Sequence, residues 1–328
     1  MYQMMSLPLY SGTLGEYNSW RDLGQELERL GCDGIEGVWG GEDLPKDLPA
    51  ELILGYHLIF YPDWLDFYRD DRAALKQKFG SLEAVASFYG GLGPDTLLEQ
   101  YRADLRRAVN LGARYVVFHV SDVSLEEGYT YRWLPTNQEV IDAAVEVVNL
   151  ILGEERWPFE FLVENQWWPG FTFTEPEETA RLLEGIRFAG KGILLDTGHL
   201  MNACTELKTE AEGADYIRSM LNRHGSLAKW VRGVHLHQSL SGAYVKAHTG
   251  SLPAGLPEDY MERFGVSYQH ILQIDQHRPW TDPAILPVLE QIEPRYLTHE
   301  LSSRGRMARA EAVSIQTRLL RQGGRMRV

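Results

Sequence analysis

Six acidic or imidazole side chains stand at or near the ends of short apolar runs in this sequence of 328 residues. In chain order they are His57, His119, Glu164, Asp196, His235 and Glu300. Carboxylates and imidazoles bind divalent cations in proteins, and carboxylates also accept and return protons during catalysis. If the apolar runs are parallel strands of one barrel, their carboxyl ends open at the same mouth. We therefore expect these side chains to converge in a catalytic site.

The last four of these side chains predict a metal site. Without compensation, three carboxylates at one mouth would repel one another, and at least one would stay protonated. A divalent ion among them balances most of that charge. The expected ligands are Glu164, Asp196, His235 and Glu300. This oxygen-rich set suits one Mn²⁺, Mg²⁺ or Co²⁺ ion, also accepts Zn²⁺, and leaves coordination positions open for a substrate.

The apolar runs that carry these side chains alternate with helices along the chain. Their content of Val, Ile, Leu, Phe and Tyr is typical of strands buried on both faces. We predict strands at residues 6–10, 34–38, 53–60, 115–120, 159–164, 192–196, 231–237 and 296–300. Helix starts are indicated by capping signals. These signals are Ser19-x-x-Asp22, Thr136-x-x-Glu139, Thr174-x-x-Glu177 and Asp282-Pro283.

Eight strands alternating with helices predict an α/β protein with a single domain over residues 1–328, folded as a (β/α)8 TIM barrel. Residues 61–94 and 238–281, after strands 3 and 7, are too long for plain connections, and we expect long loops there, the first with its own helix. An open doubly wound sheet would require a Gly-rich phosphate turn after the first strand. The segment from Ser11 to Gly15 has two glycines but not that spacing.

Composition narrows the partners of the chain. There are 32 Lys and Arg against 46 Asp and Glu, a net charge of −14 that repels the phosphate backbone of nucleic acids. Residues 304–328 hold seven arginines and one acid, which we interpret as a closing helix with a basic side. The sequence has no apolar run near the roughly 20 residues that a bilayer requires, and no secretion signal. We expect a cytoplasmic protein that acts on a small molecule. The sequence is also compatible with a homo-oligomer.

Four segments resemble the metal-site motifs of the xylose isomerase-like TIM barrels. They are FLVEN around Glu164, LLDTGH around Asp196 and His199, GVHLH around His235, and LTHEL around Glu300. This superfamily includes sugar phosphate isomerases and epimerases, ketose 3-epimerases, inosose dehydratases and zinc apurinic endonucleases. The resemblance extends from about the second strand to the eighth. It implies that the four predicted ligands bind one divalent ion and that His199 contacts substrate, or a second ion in the endonuclease branch.

The resemblance implies a metal-dependent isomerase or epimerase acting on a sugar, sugar phosphate or polyol. The ion would polarise the carbonyl of a hydroxy-ketone, and Glu164 and Glu300 would remove and return a proton through an enediolate. Trp168 would stack on the sugar, and Arg304, just past the eighth strand, would hold a phosphate. The full set expected to contact substrate is His57, His119, His199, His237, Trp168 and Arg304.

Other functions remain open on the same barrel. A metal phosphodiesterase of the apurinic-endonuclease type would bind about three ions per chain. His57, His119, His199 and His248 would be further ligands. Lys246 stands where that family's Asp-x-His pattern would have an acid. A lyase or dehydratase would eliminate water from the same enediolate, and a barrel without metal would only bind a ligand or serve as a scaffold.

Overall fold

The computed structural model describes residues 1–323, so Arg325 and Arg327 of the basic C-terminal segment lie outside the described residues. Eight parallel strands close into a barrel in chain order, and β8 pairs with β1. The strands are β1 (Tyr2–Leu9), β2 (Gly34–Trp39), β3 (Ile53–His57), β4 (Tyr115–His119), β5 (Glu160–Glu164), β6 (Lys191–Asp196), β7 (Val231–His235) and β8 (Tyr296–His299). The predicted (β/α)8 TIM barrel is confirmed.

Helices surround the barrel and also occupy the long connections. They are α1 (Ser11–Leu14), α2 (Trp20–Leu30), α3 (Leu65–Tyr68), α4 (Arg72–Phe79), α5 (Leu82–Tyr89), α6 (Pro94–Asn110), α7 (Leu125–Thr130), α8 (Asn137–Leu152), α9 (Pro176–Gly185), α10 (Thr197–Asn202), α11 (Glu210–His224), α12 (Gly242–His248), α13 (Tyr260–Ile274), α14 (Ile285–Ile292) and α15 (Arg306–Gln322). Between β2 and β3 the chain forms only a 3-10 helix, Ala50–Leu52, so the alternation is not complete. None of the helices within residues 1–323 has the length and apolar character needed to span a membrane.

Two of the predicted helix starts are wrong, and two are confirmed. Ser19 and Thr136 cap α2 and α8 as expected. Helix α9 begins one residue later than predicted because Pro176 occupies its first position, which leaves Glu175 at the cap and Thr174 bonded to Thr172. Helix α14 begins at Ile285, and the predicted start at Asp282 forms a turn before it.

Strand ends differ from the predictions by a few residues, in a way that matters for the site. Strand β1 starts at Tyr2 because residues 2–5 pair with β8. Strands β7 and β8 end at His235 and His299, so His237 and Glu300 lie just beyond the last ladder bonds. The side chains of such residues lean into the mouth of the barrel, where connecting loops supply functional groups.

The barrel interior is apolar toward the amino ends of the strands and polar at their carboxyl ends. A separate core cluster fills the lower part of the barrel. It consists of Met4, Leu54, Tyr115, Val117, Leu162, Leu194 and Tyr296. Because strand side chains alternate between faces, Leu162 and Leu194 point inward with Glu164 and Asp196, two residues further along. The packed lower layer therefore fixes the height at which the acidic side chains meet.

Candidate metal centre

The four ligands expected from the strand ends lie together at the mouth of the barrel. One ligand atom from each of Glu164, Asp196, His235 and Glu300 lies within 4.8 Å of the others. The His235 Nδ1 atom is 2.9 Å from Glu300 Oε2 and 3.4 Å from Glu164 Oε1. Glu164, Asp196 and His235 are completely buried. We call this set the central group.

A second set of ligand atoms, the β3–β4 group, consists of His57, His119 and Glu164. The Nε2 atoms of His57 and His119 lie 3.3 and 3.1 Å from Glu164 Oε2, and only 3.0 Å from each other. The carboxylate oxygen could accept from both nitrogens, but two N–H groups whose nitrogens lie 3.0 Å apart would repel each other, whereas one cation could bind all three atoms. Glu164 belongs to both groups, with one oxygen near each. This carboxylate is therefore placed to bridge two cations.

A third set, the outer group, consists of His199, His237, Asp275 and His277. Asp275 Oδ2 lies 2.6 Å from His277 Nε2 and 3.4 Å from His199 Nε2. The rings of His237 and His277 stack with their centroids 4.0 Å apart. The sequence analysis missed Asp275 and His277, although an Asp-x-His spacing was the signal sought at residues 246–248.

The expectation for His248 is wrong. This side chain is exposed on α12, and its Nδ1 atom bonds to the Tyr244 carbonyl. Lys246 forms an ion pair with Glu206. The Asp-x-His pair that reaches the barrel mouth comes from the segment after α13 instead, because the chain runs through two helices before it returns to the site.

Backbone hydrogen bonds of three histidines turn the other ring nitrogen of each toward the carboxylates. The Nδ1 atoms of His57, His199 and His277 bond to the backbone carbonyls of residues 58, 165 and 300, at 2.8, 3.0 and 3.0 Å. Each Nδ1 therefore donates a proton to its carbonyl, and each Nε2 points to a carboxylate, where a cation can take the place of a second proton. A carbonyl that fixes the tautomer in this way is typical of metal-binding histidines.

Burial and charge act against each other in these groups. Burial alone would lower the pKa of His277, but the Asp275 carboxylate raises it to about 10. Burial alone would raise the pKa of Glu164, yet the imidazoles of His119 and His235 hold it well below its usual range. Burial favours the neutral form of His119 and lowers its pKa. Burial thus opposes charge throughout the centre, and the contacts with imidazoles outweigh burial at Glu164 and Asp275, whose pKa values lie well below the usual range.

The buried donor set fits divalent cations. Several of its atoms have no hydrogen-bond partner, which is costly for buried polar groups. They include both oxygens of Glu164, the Nδ1 atom of His235, and one atom each of His237, Asp275 and Glu300. Cations bound among the groups would satisfy these atoms. The imidazole-rich β3–β4 and outer groups suit Zn²⁺ better than Mg²⁺.

The motif Asp196–His199 positions ligands from two strands at once. Asp196 caps α10, and its Oδ1 atom accepts a hydrogen bond from the His199 backbone N–H at 2.6 Å. Thr197 Oγ1 donates to the His237 carbonyl at 2.6 Å. At Gly198 a Cβ atom would lie 2.0 Å from the His237 ring. The glycine therefore leaves the space that the His237 imidazole occupies.

Glu36 on β2 is a further residue that the sequence analysis missed. Its Oε1 atom lies 2.8 Å from His235 Nε2, on the side of the ring away from the central group. Its Oε2 atom accepts hydrogen bonds from Tyr115 at 2.5 Å and Thr298 at 2.9 Å. The signal in the sequence was a charged residue in an apolar strand. Glu36 orients His235 so that Nδ1 faces the other ligands.

A cavity of about 780 Å³ opens above the centre. Residues of all three groups line it, namely His57, His119, His199, Asp275, His277 and Glu300. Of the residues expected to contact substrate, Trp168 also lines the cavity, whereas His237 lies beneath it. Arg304 is exposed and does not line it, so the structure does not bring Arg304 to the site.

Comparisons with known proteins agree with this architecture. The sequence pattern of the family described as xylose isomerase-like TIM barrel matches residues 25–293. The structure resembles a D-tagatose 3-epimerase-like protein, with 15% identity, a TM-score of 0.54 and coverage of 99% of this chain and 98% of that one. No curated protein sequence matches the chain.

Two further solved structures show the same fold. Endonuclease IV from Thermus thermophilus is 15% identical, with a TM-score of 0.52 and coverage of 98% of this chain and 100% of that one. Mannonate dehydratase from Streptococcus suis serotype2 is 13% identical, with a TM-score of 0.53 and coverage of 99% and 94%. At these identities the likeness concerns the fold alone. From the family match, the chain belongs to the xylose isomerase-like TIM barrel family.

Proposed function

We propose that this protein is a metal-dependent hydrolase that cleaves phosphate esters at a centre of three divalent cations. The observation that carries the proposal is the presence of three adjoining ligand groups, two of which share Glu164. A single-ion isomerase needs only the central group. It gives no reason for six histidines to face the barrel mouth together with the acids.

Charge favours an anionic substrate. The three groups contain four carboxylates, from Glu164, Asp196, Asp275 and Glu300. The buried Glu36 carboxylate beside His235 brings the number of carboxylates to five. Three divalent ions exceed this charge by one, which attracts a phosphate. One ion would leave the site negative by three and would suit a neutral sugar. The number of bound ions therefore decides the class of substrate.

Hydrolysis requires little chemistry beyond charge and position. Bound cations supply neutralisation of the phosphoryl oxygens and a lowered pKa for an attacking water. The water oxygen forms a bond to phosphorus, the bond from phosphorus to the leaving oxygen breaks, and the proton that water gives up passes to the departing alcohol. Asp275, His277 and Glu300 line the cavity and would hold the cations on the side from which the ester enters.

The second candidate is the isomerase or epimerase with paired glutamates. It is favoured by the central group, which is complete by itself, and by Glu300, which lines the cavity. However, Glu164 lies within 3.4 Å of four imidazoles and does not line the cavity. A carboxylate enclosed in this way is better suited to hold cations than to remove a proton from a substrate.

Metal analysis and two assays test the proposal. We expect about three Zn²⁺ or Mn²⁺ ions per chain and hydrolysis of 4-nitrophenyl phosphate or bis(4-nitrophenyl) phosphate. His57→Gln and His277→Gln should each remove about one ion and most activity, whereas His248→Gln, on an exposed residue, should change neither. One ion per chain, with uptake of solvent deuterium by a ketose and no ester cleavage, would overturn the proposal in favour of the isomerase.

A further inference from the structure

The cavity has a second wall, opposite in character to the metal centre. We call it the aromatic wall, and it consists of Phe60, Tyr61, Trp167, Trp168, Phe264 and Tyr268. These residues come from three separate segments, after β3, after β5 and in α13. The sugar-stacking role expected for Trp168 alone does not account for a surface of this extent.

The aromatic wall begins directly against the metal-facing histidines. The Phe60 ring lies 4.5 Å from the His119 ring and 5.8 Å from the His57 ring, measured between centroids. On the other side, Trp167 lies 5.2 Å from His199. The rest of a substrate whose phosphate is held by the cations would therefore lie next to aromatic rings.

Part of this wall is uncovered. Phe60 is 48% exposed and Tyr268 is 51% exposed, whereas Trp167 and Trp168 are buried. Exposed aromatic rings at a concave site gain free energy when an apolar or aromatic ligand covers them.

The cavity offers no cation for a second anionic group. Within residues 1–323, Arg309 is the one Lys or Arg side chain that lines it, and its guanidinium forms an ion pair with Glu16. Glu16 itself also lines the cavity. A polyanion that extended beyond the metal centre would therefore find no unpaired Lys or Arg side chain within the described part of the cavity wall.

We propose that the substrate is a small phosphate ester with a single anionic group and a flat aromatic or apolar alcohol part, which lies on the aromatic wall. This inference rests on the proposed function, because the cations must hold the phosphate. Such a substrate differs from nucleic acids and from sugar bisphosphates, which carry more than one anionic group. The alcohol part, rather than the phosphate, would then determine specificity.

A comparison of two esters tests the inference. 2-Phenylethyl phosphate and ethyl phosphate have leaving alcohols of similar acidity, so a difference in kcat/KM reports binding of the ring. We expect the phenylethyl ester to react at least about tenfold faster in kcat/KM. Phe60→Ala should remove most of this preference. The readout is the ratio of the two kcat/KM values, which cancels any effect on the His57 and His119 rings that Phe60 contacts. Met307→Ala, on a side chain that is 87% exposed and does not line the cavity, should keep the preference.

Binding of the matching phosphonates, measured by calorimetry on the metal-loaded protein, separates the two proposals. Equal cleavage of both esters, or a preference that survives Phe60→Ala, would overturn the inference and leave the hydrolase intact. If neither ester is cleaved but 2-phenylethylphosphonate binds about tenfold tighter than ethylphosphonate, the aromatic wall is supported as the recognition surface, and the hydrolase fails. Equal binding of both phosphonates would also overturn the inference.

Discussion

Glu36 and His235 act as a pair in which one residue holds the other. The carboxylate is fully buried and fixed by the hydroxyl groups of Tyr115 and Thr298, so it cannot turn away from the imidazole. Its proximity to Nε2 favours a proton on that nitrogen and leaves Nδ1 free to bind a cation. Glu36 is thus a positioning residue that acts through His235.

Glu36→Gln tests this arrangement. The amide has no charge to hold the Nε2 proton, so His235 is a weaker ligand, and we expect metal affinity to fall about 10- to 100-fold. Titration of the metal-free protein with Zn²⁺ measures the effect without any assay of activity. Tyr115→Phe removes one hydrogen bond from the far oxygen and should cost less. Unchanged Zn²⁺ affinity in Glu36→Gln would show that the contact does not position His235.

At the scale of single residues, the sequence predicted the ligands that stand at strand ends. Glu164, Asp196 and Glu300 stood out because an acid after an apolar run is easily seen. Asp275 and His277 were missed because they belong to a long connection whose path depends on tertiary packing. Glu36 was missed because the alternation of faces in β2 shows its inward direction only once the register with β1 and β3 is known.

Among the elements, the short helix α10 and the end of β7 depend on each other. Helix α10 starts at the β6 ligand Asp196 and carries His199, and its first turn lies against the backbone and ring of His237. Capping motifs predicted a helix start correctly where the capping side chain accepts a hydrogen bond from the next few residues, as at Thr136. They could not show why a glycine follows Thr197, because the reason is a ring from another strand.

Gly198→Ala should disturb the outer group. The added methyl would lie 2.0 Å from the His237 ring, so the ring must move away from Asp275 and His277. We expect the loss of about one ion per chain and a lower melting temperature. Gly24→Ala is the matched control, since its methyl would meet its nearest neighbour at an ordinary 4.0 Å.

A double variant distinguishes crowding from a general effect on the helix. Gly198→Ala combined with His237→Ala removes the ring that the methyl would strike. It should regain thermal stability relative to Gly198→Ala, yet still lack the ion. If Gly198→Ala alone keeps its full metal content, the His237 ring can bind from another position. The proposed role of the glycine then fails.

For the whole molecule, the candidate metal centre brings together distant parts of the chain. Its ligands come from the ends of β3 to β8 and from the segment after α13. Bound cations would therefore join six of the eight strands at the mouth of the barrel. Cations that bind only the folded state stabilise that state by mass action.

Removal of the ions should consequently lower the stability of the entire barrel rather than of one loop. A free cation at about 100 times its dissociation constant adds about 2.7 kcal/mol per site, so we expect chelation to lower the melting temperature by at least about 5 °C. Zn²⁺ added after the chelator should restore it. Asp142→Asn, on an exposed carboxylate paired with Arg181, should respond like the parent protein, whereas Asp196→Asn should respond less. Identical melting with and without chelator, in a protein shown to hold metal, would mean that the cations do not join the strands.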